Sequence, residues 1–365
     1  MSRFSYWLFA PIVAACSHLS SNGAAPVAGR WQLKDPPHSM PKDPKSPRFG
    51  GFSGLCCSAK TRDSIHFVSL SDRGPNLDPY PTKAKEPPKR PFIEPGFVPE
   101  MMVTSWSPKG GWTLVERVPL HWENNVAATG LPNNGAEERP VSADGRELPY
   151  DARGLDPEGI ALAEDGGFWI VEEYGPSLLK VSPQGRILKR WIPKGSGASR
   201  HGIEALPAEL AQRALNRGFE GVALVGKTLY AFLQSPFKGQ STVKVLVWDT
   251  EREISLGIKE YPMHDPAAQK IGDATTLPDG RLLVLEQDGG TDERALRKVF
   301  AWDPTSGSKS LVLDLTAAGY TGLEKAEGIS MIDHEHLAVV ADNDYGLVKQ
   351  APSELVIFKV RVPGN

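Results

Sequence analysis

A short phrase recurs along this chain and constrains its fold more than any other feature: acid, Gly, aliphatic, small, apolar. It reads Glu158-Gly159-Ile160-Ala161-Leu162, then Glu220-Gly221-Val222-Ala223-Leu224, then Glu327-Gly328-Ile329-Ser330-Met331. A weaker copy, Asp273-Ala274-Thr275-Thr276-Leu277, lies between the last two, and Ser53-Gly54-Leu55-Cys56-Cys57 is an acid-free first copy. The copies from Glu158 onward begin 62, 53 and 54 residues apart, whereas Gly54 and Gly159 are separated by 105, close to two periods. Repeats of roughly 40–50 residues that carry strands mark β-propeller blades. Counting a diverged copy near Trp106 to Trp112 predicts an all-β propeller of six four-stranded blades.

The unit after Gly154 reads as one blade. Ile160 to Ala163 is an apolar strand, Glu164-Asp165-Gly166-Gly167 a turn, and Phe168 to Val171 a second strand that exits at Glu172-Glu173. Two further strands, Ser177 to Ser182 and Ile187 to Trp191, are joined by a turn at Pro183-Gln184-Gly185-Arg186. Alternating strands and Gly turns of this kind form an antiparallel meander. The start of a first strand and the end of a second then lie at the same end of the propeller. Glu158, Glu220, Asp273 and Glu327 are therefore expected on one face with Asp72, Glu172, Glu173, Glu286, Asp342 and Asp344. Crowded carboxylates repel one another unless cations or basic side chains neutralise them. Hard oxygen clusters suit Ca²⁺, so Glu158, Glu220, Asp273 and Glu327 are candidate metal ligands. The other reading is structural, in which acid-Gly pairs satisfy strand-start donors and Gly permits close approach at the axis.

Bases accompany the acids. Arg73 lies in the first exit, Arg153 and Arg217 precede Glu158 and Glu220, and all three are candidate substrate-binding residues for an anion; ion pairing alone would also explain them. His201, in the insertion before Glu220, is the histidine considered for catalysis, beside Glu158 and Glu220. Two insertions, Pro75 to Pro99 and Pro193 to Arg217, overhang the acidic face, and Pro207 to Leu215 within the second reads as a short helix.

The N-terminus reads as an export signal. Arg3 precedes a short apolar run, Tyr6 to Ala15, that ends in Val13-Ala14-Ala15-Cys16, a lipobox-like sequence in which Cys16 would be lipidated. Residues 1–15 are then a lipoprotein signal peptide, 16–47 a flexible tether and 48–363 the propeller. The expected location is a bacterial outer-membrane lipoprotein facing the periplasm, or a secreted or periplasmic protein, with membrane contact only through the lipid. An ordinary signal peptide with an incidental Cys16 is the alternative. The formal net charge of −3 offers no basic excess for nucleic acid. Cys56 and Cys57 are read as structural, one facing the core and its neighbour outward.

The ordered motifs Phe49-Gly50-Gly51-Phe52-Ser53-Gly54-Leu55, Ser71-Asp72-Arg73-Gly74-Pro75, Asp156-Pro157-Glu158-Gly159-Ile160, Asn216-Arg217-Gly218-Phe219-Glu220-Gly221 and Ala326-Glu327-Gly328-Ile329 resemble the phytase-like family named for "esterase-like activity of phytase". The resemblance runs from about Phe49 to about Pro363. It implies a secreted or lipid-anchored propeller that hydrolyses a small-molecule phosphoric or carboxylic ester, with metal dependence. The chain departs from the family at Cys56-Cys57 and at Gln234, an exit that elsewhere carries an acid. A Gly-x-Ser-x-Gly elbow, a His-Glu-x-x-His helix and a phosphate loop are all missing from the sequence, which leaves metal-assisted attack by water as the route. A non-catalytic binding platform and a lactonase-like enzyme remain as alternative functions.

Overall fold

The computed structural model describes residues 27–33, 46–82, 86–136, 138–265, 268, 270–290, 292, 294–320, 325–348 and 351–362. The signal peptide and Cys16 lie outside these residues. The chain begins with strand β1 (Val27–Gln32). Blade one follows, with β2 (Phe52–Lys60), β3 (Ile65–Ser71), an excursion holding β4 (Lys89–Phe92), then β5 (Glu100–Ser107) and β6 (Gly111–Pro119). A second excursion holds β7 (Arg139–Ser142), which pairs in parallel with β4. Blade two is β8 (Pro157–Leu162), β9 (Phe168–Glu172), β10 (Ser177–Val181) and β11 (Ile187–Pro193), with β12 (Ile203–Leu206) added in parallel at its outer edge. Blade three is β13 (Phe219–Val225), β14 (Thr228–Leu233), β15 (Thr242–Asp249) and β16 (Ile254–Pro262). Blade four is β17 (Lys270–Thr276), β18 (Leu282–Gln287), β19 (Arg297–Trp302) and β20 (Lys309–Asp314). Blade five is β21 (Ala326–Met331), β22 (His336–Ala341) and β23 (Glu354–Lys359), completed on the outside by β1.

The propeller therefore has five blades, one of them five-stranded, and not six four-stranded blades. The doubled first gap that suggested a sixth is filled by the two excursions around the β4–β7 ribbon. Trp106 and Trp112 sit opposite each other in the outer hairpin β5–β6 of blade one. A second correction concerns the stretch read as tether: Val27–Gln32 within it pairs antiparallel with β23. Pro207 to Leu215 is a single 3-10 turn, Ala208–Gln212, in place of a longer helix.

The inner strands β2, β8, β13, β17 and β21 pack in a closed ring around the axis. The glycines of the repeated phrase explain how they come so close. A Cβ on Gly54 would fall 2.7 Å from the Glu158 carbonyl oxygen, one on Gly159 2.7 Å from that of Glu220, and one on Gly328 2.7 Å from Gly54. Gly221 presses on Asp273 and Gly272 on the Ala326 carbonyl in the same way. Apolar residues fill the wedges between blades, as in the Trp169–Trp191–Trp248 run and the Phe232, Tyr261 and Trp302 contacts. Cys56 is buried, Cys57 half-buried, and both are free. Burial pushes the Cys56 thiol up to about 12 and the Cys57 thiol up to about 11.

Candidate functional site

Each inner strand carries a β-bulge near its start, and this bulge sets the site. Across the ladders, Pro157 pairs with Glu172 and Gly159 with Val171, which leaves Glu158 without a partner. Glu220, Gly272, Glu327 and Gly54 are skipped in the same way in the other blades. A bulge re-aims the side chain of the extra residue, and Glu158, Glu220 and Glu327 all line the mouth of the central channel. Asp273 does not line it. It stands one residue past its bulge, and its carboxylate accepts backbone N–H bonds from Ala274 at 2.7 Å and Ile329 at 2.8 Å. This acid staples blade four to blade five.

The second-strand exits sort by the same alternation. Asp72, Glu173, Gln234 and Asp342 line the mouth, and Asp72, Glu173 and Asp342 donate their backbone N–H groups to the residues just ahead of the inner strands, Gly51, Asp156 and Lys325. Glu172 and Glu286, one residue earlier, turn into the blades because successive strand residues face opposite ways. Glu172 is fully buried against Arg190 at 2.6 Å, and Glu286 accepts from Tyr261 Oη and pairs with Lys309.

The mouth is a cavity of about 510 Å³. Carboxylates dominate its floor, and burial holds those of Asp72, Glu158, Glu220, Glu327 and Asp342 above the ordinary range. Neighbouring negative charge adds to this, from Asp156, Glu220 and Glu173 at Glu158 and from Asp344 at Asp342. Tyr345 donates its Oη to Asp72 Oδ1 at 2.6 Å, and Gln234 donates to Glu220 Oε2 at 2.8 Å. Asp344 and Tyr345 both hold positive φ, 45° and 53°, a strain of about 1–3 kcal/mol each. Asn343 braces them by accepting from the Tyr345 and Gly51 backbone N–H groups.

Asp156, Glu158 and Glu173 converge, one oxygen from each lying within 4.8 Å of the others. Asp156 Oδ2 and Glu173 Oε1 are buried and accept no hydrogen bond. Arg73 Nη2 lies 2.7 Å from Asp156 Oδ2, and Arg217 Nη1 lies 3.5 Å from Glu173 Oε1, ion-pair contacts without hydrogen-bond alignment. Two buried oxygens that face arginines but accept no aligned hydrogen bond, beside a third carboxylate, are a donor set of the kind a hard cation takes. This trio differs from the set expected from the sequence: it keeps Glu158, omits Asp273, and adds Asp156 and Glu173.

Of the expected anion-binding bases, Arg73 and Arg217 reach the mouth. Arg73 is buried among Glu138, Asp156 and Glu173 and stacks on Tyr174. Arg153 lies elsewhere, pairing with Glu123 at 3.1 Å over the Trp122 ring. His201 is exposed, edge-on to Trp122 with 5.1 Å between centroids, and does not line the cavity. Sequence reasoning noted Lys325 as a base ahead of Glu327 but passed over Lys270 and gave Asp156 no role. All three stand two residues ahead of the skipped residue of their strand, so aligning the units on their bulges would have brought them together.

The architecture is similar at low identity to two α-L-arabinofuranosidases. That of Clostridium thermocellum has 11% identity, covers 79% of this chain and 81% of its own, and gives a TM-score of 0.44. That of Podospora anserina has 11% identity, covers 91% of this chain and 98% of its own, and gives 0.46. An uncharacterized secreted protein of Arthroderma benhamiae is 26% identical over 250 residues, 57% of this chain. The match spans 48% of that relative, about half its length. Residues 47–345 match the phytase-like family described as "Esterase-like activity of phytase". Motifs, blades and family match thus meet in one assignment: the chain belongs to the phytase-like family and is a β-propeller.

Proposed function

We propose that the mouth hydrolyses an anionic ester, a phosphoric ester before a carboxylic one, with a divalent cation held by Asp156, Glu158 and Glu173. The convergence of Asp156, Glu158 and Glu173, with Asp156 Oδ2 and Glu173 Oε1 accepting no aligned hydrogen bond, carries this reading. Bound there, a cation supplies Lewis acidity toward an ester oxygen and lowers the pKa of water. Arg217 and Lys270 offer positive charge to the substrate anion from the same cavity. Glu220, held above the ordinary carboxylate range by burial, is suited to give a proton to the departing alcohol. The net reaction adds water across the ester bond. Calcium is the cation preferred for an all-oxygen site, with magnesium as the competing choice.

Stability tests the cation independently of turnover. Binding to the native state alone stabilises by about 2.7 kcal/mol at one hundred times Kd, so Ca²⁺ should raise the melting temperature and Glu158→Gln should blunt the rise. The metal-free protein should also show an inverted pH dependence. Its mouth carboxylates have folded-state pKa values raised above their unfolded values of about 4. The native state therefore binds more protons than the unfolded chain above that pH, and stability falls as pH rises through the raised folded-state values. Ca²⁺ should restore the loss at the upper end. A flat profile in chelator, with no response to divalent cations, would leave Arg73, Arg217, Lys270 and Lys325 as the neutralising groups and favour the binding-platform function.

Export accompanies this reading. The Arthroderma relative is described as secreted, and the sequence around Cys16 has the lipobox pattern. In a bacterial host, Cys16→Ala should move the protein from the membrane to the soluble periplasmic fraction; membrane attachment that survives the change would refute lipidation at Cys16.

A further inference from the structure

The mouth does not end at its rim. A second cavity of about 750 Å³ opens sideways from it between blades three and four. The two share Arg217, Lys270 and Gly289 among their walls. At this junction Lys270 is half-buried and makes no hydrogen bond, and no ion pair within 4 Å, among the described residues. Its positive charge is felt across the mouth by the carboxylates of Glu220 and Glu327. Arg217 is 42% exposed and is held by its Nη1 donating to the Asn216 carbonyl and facing Glu173 at 3.5 Å. Asn216 itself sits at a φ of 52°, a conformation that non-glycine residues adopt at an energetic cost.

Beyond the junction the chemistry changes. Phe237 and Met263 supply apolar wall, and the exposed Ser241, whose carbonyl accepts from the Met263 backbone N–H at 3.2 Å, lines the same cavity. The side cavity is the larger of the two and contains no carboxylate among its lining residues. A ligand spanning both would meet acids, then Arg217 and Lys270, then a mixed surface of apolar, hydroxyl and amide groups with the exposed Lys238 at its edge. We propose that the side cavity is a second subsite, which takes the organic group of an ester whose anionic end rests on Arg217 and Lys270. This rests on the hydrolytic reading for the word ester, but binding alone is enough to test it. The ligand class is a phosphoric ester of a bulky, partly apolar alcohol, in preference to a small polar one.

Calorimetric titration of the purified protein with phenylphosphonate and methylphosphonate, in Ca²⁺ and in chelator, examines this directly. Phenylphosphonate should bind about tenfold more tightly than methylphosphonate, as expected for burying a ring in the side cavity. Lys270→Gln should weaken both about tenfold and keep their ratio. Ser241→Trp, which fills the side cavity from an exposed position, should erase the ratio and leave methylphosphonate unchanged. Gln240→Trp provides a second block from the same exposed loop. Equal affinities in the unaltered protein, binding of neither phosphonate, or a ratio that survives both blocks overturns the subsite. Failure of the hydrolytic reading looks different: no turnover and no Ca²⁺ stabilisation, with the phenyl preference and its loss in Ser241→Trp intact.

Discussion

Glu172→Ala should strip about 3–5 kcal/mol from the folding free energy, while Glu173→Gln, at the very next residue, should leave the protein folded and abolish its response to divalent cations. The first carboxylate is fully buried and accepts from Arg190 Nη2 at 2.6 Å, from Ser177 Oγ at 2.7 Å and from the Tyr174 backbone N–H at 2.9 Å. Arg190 is equally buried. Removing one member of such a pair leaves an uncompensated charge in the interior, and that accounts for the size of the loss. Glu173 faces the mouth, where Arg73 retains Glu138 and Asp156 as partners after the change. Its amide can still accept from Arg73 but cannot offer a cation the charge of the Glu173 carboxylate. Urea midpoints of both variants, with Ca²⁺ titrations of the second, decide the matter. Equal destabilisation by the two would mean that Glu173 holds the fold and not a ligand.

Gly159→Val is expected to be about as damaging, at roughly 3 kcal/mol or more. A Cβ there would meet the Glu220 carbonyl oxygen at 2.7 Å, the Val171 side chain at 2.9 Å and the Val222 nitrogen at 3.1 Å. Two of these three are backbone atoms of the neighbouring inner strand, so relief requires the ring of strands to open. Gly96, with nothing within 4 Å of its would-be Cβ, provides the control: Gly96→Ala should fall within about 0.5 kcal/mol of the parent. A mild Gly159→Val with an unchanged urea midpoint would show that the axis has slack that the close approaches do not suggest.

These two experiments also mark where sequence reasoning succeeded and where it stopped. The acid-Gly phrase identified the inner strands and the face of the site, because bulged acid and close-packed glycine are both local demands of one turn of backbone. Distinguishing Glu172 from Glu173, or Glu327 from Asp273, needed more. A shift of one residue in a strand exchanges core and mouth, and Asp273 in the weak copy sits on the far side of that shift from the other three acids. Blade number failed for a different reason. Length was taken as a count of strands, but the excess in blade one is spent on the β4–β7 ribbon, whose parallel pairing joins segments far apart in sequence. Lys270 was missed because an acid-led pattern had no place for a base two residues ahead of a glycine bulge. The aromatic brace at Tyr345 rests on Asn343, Gly50 and Gly51 together, a partnership that no local motif announces.

The pairing of β1 with β23 has a bearing on how the molecule comes into being. Arg30 and Gln32 bind Glu354 across 324 and 322 residues of chain. Strand β1 leaves the ribosome long before β23 and has to wait for it before it finds its neighbour. Until then, β1 and the unfinished fifth blade present bare strand edges of the kind that recruit other chains. Closure of blade five therefore waits for β23, and the slow distant contact comes last. The same clasp sets the outcome of trimming: a proteolytic cut just after Gln32 would sever β1 from the chain and leave the outer edge of β23 without its covalently tied partner.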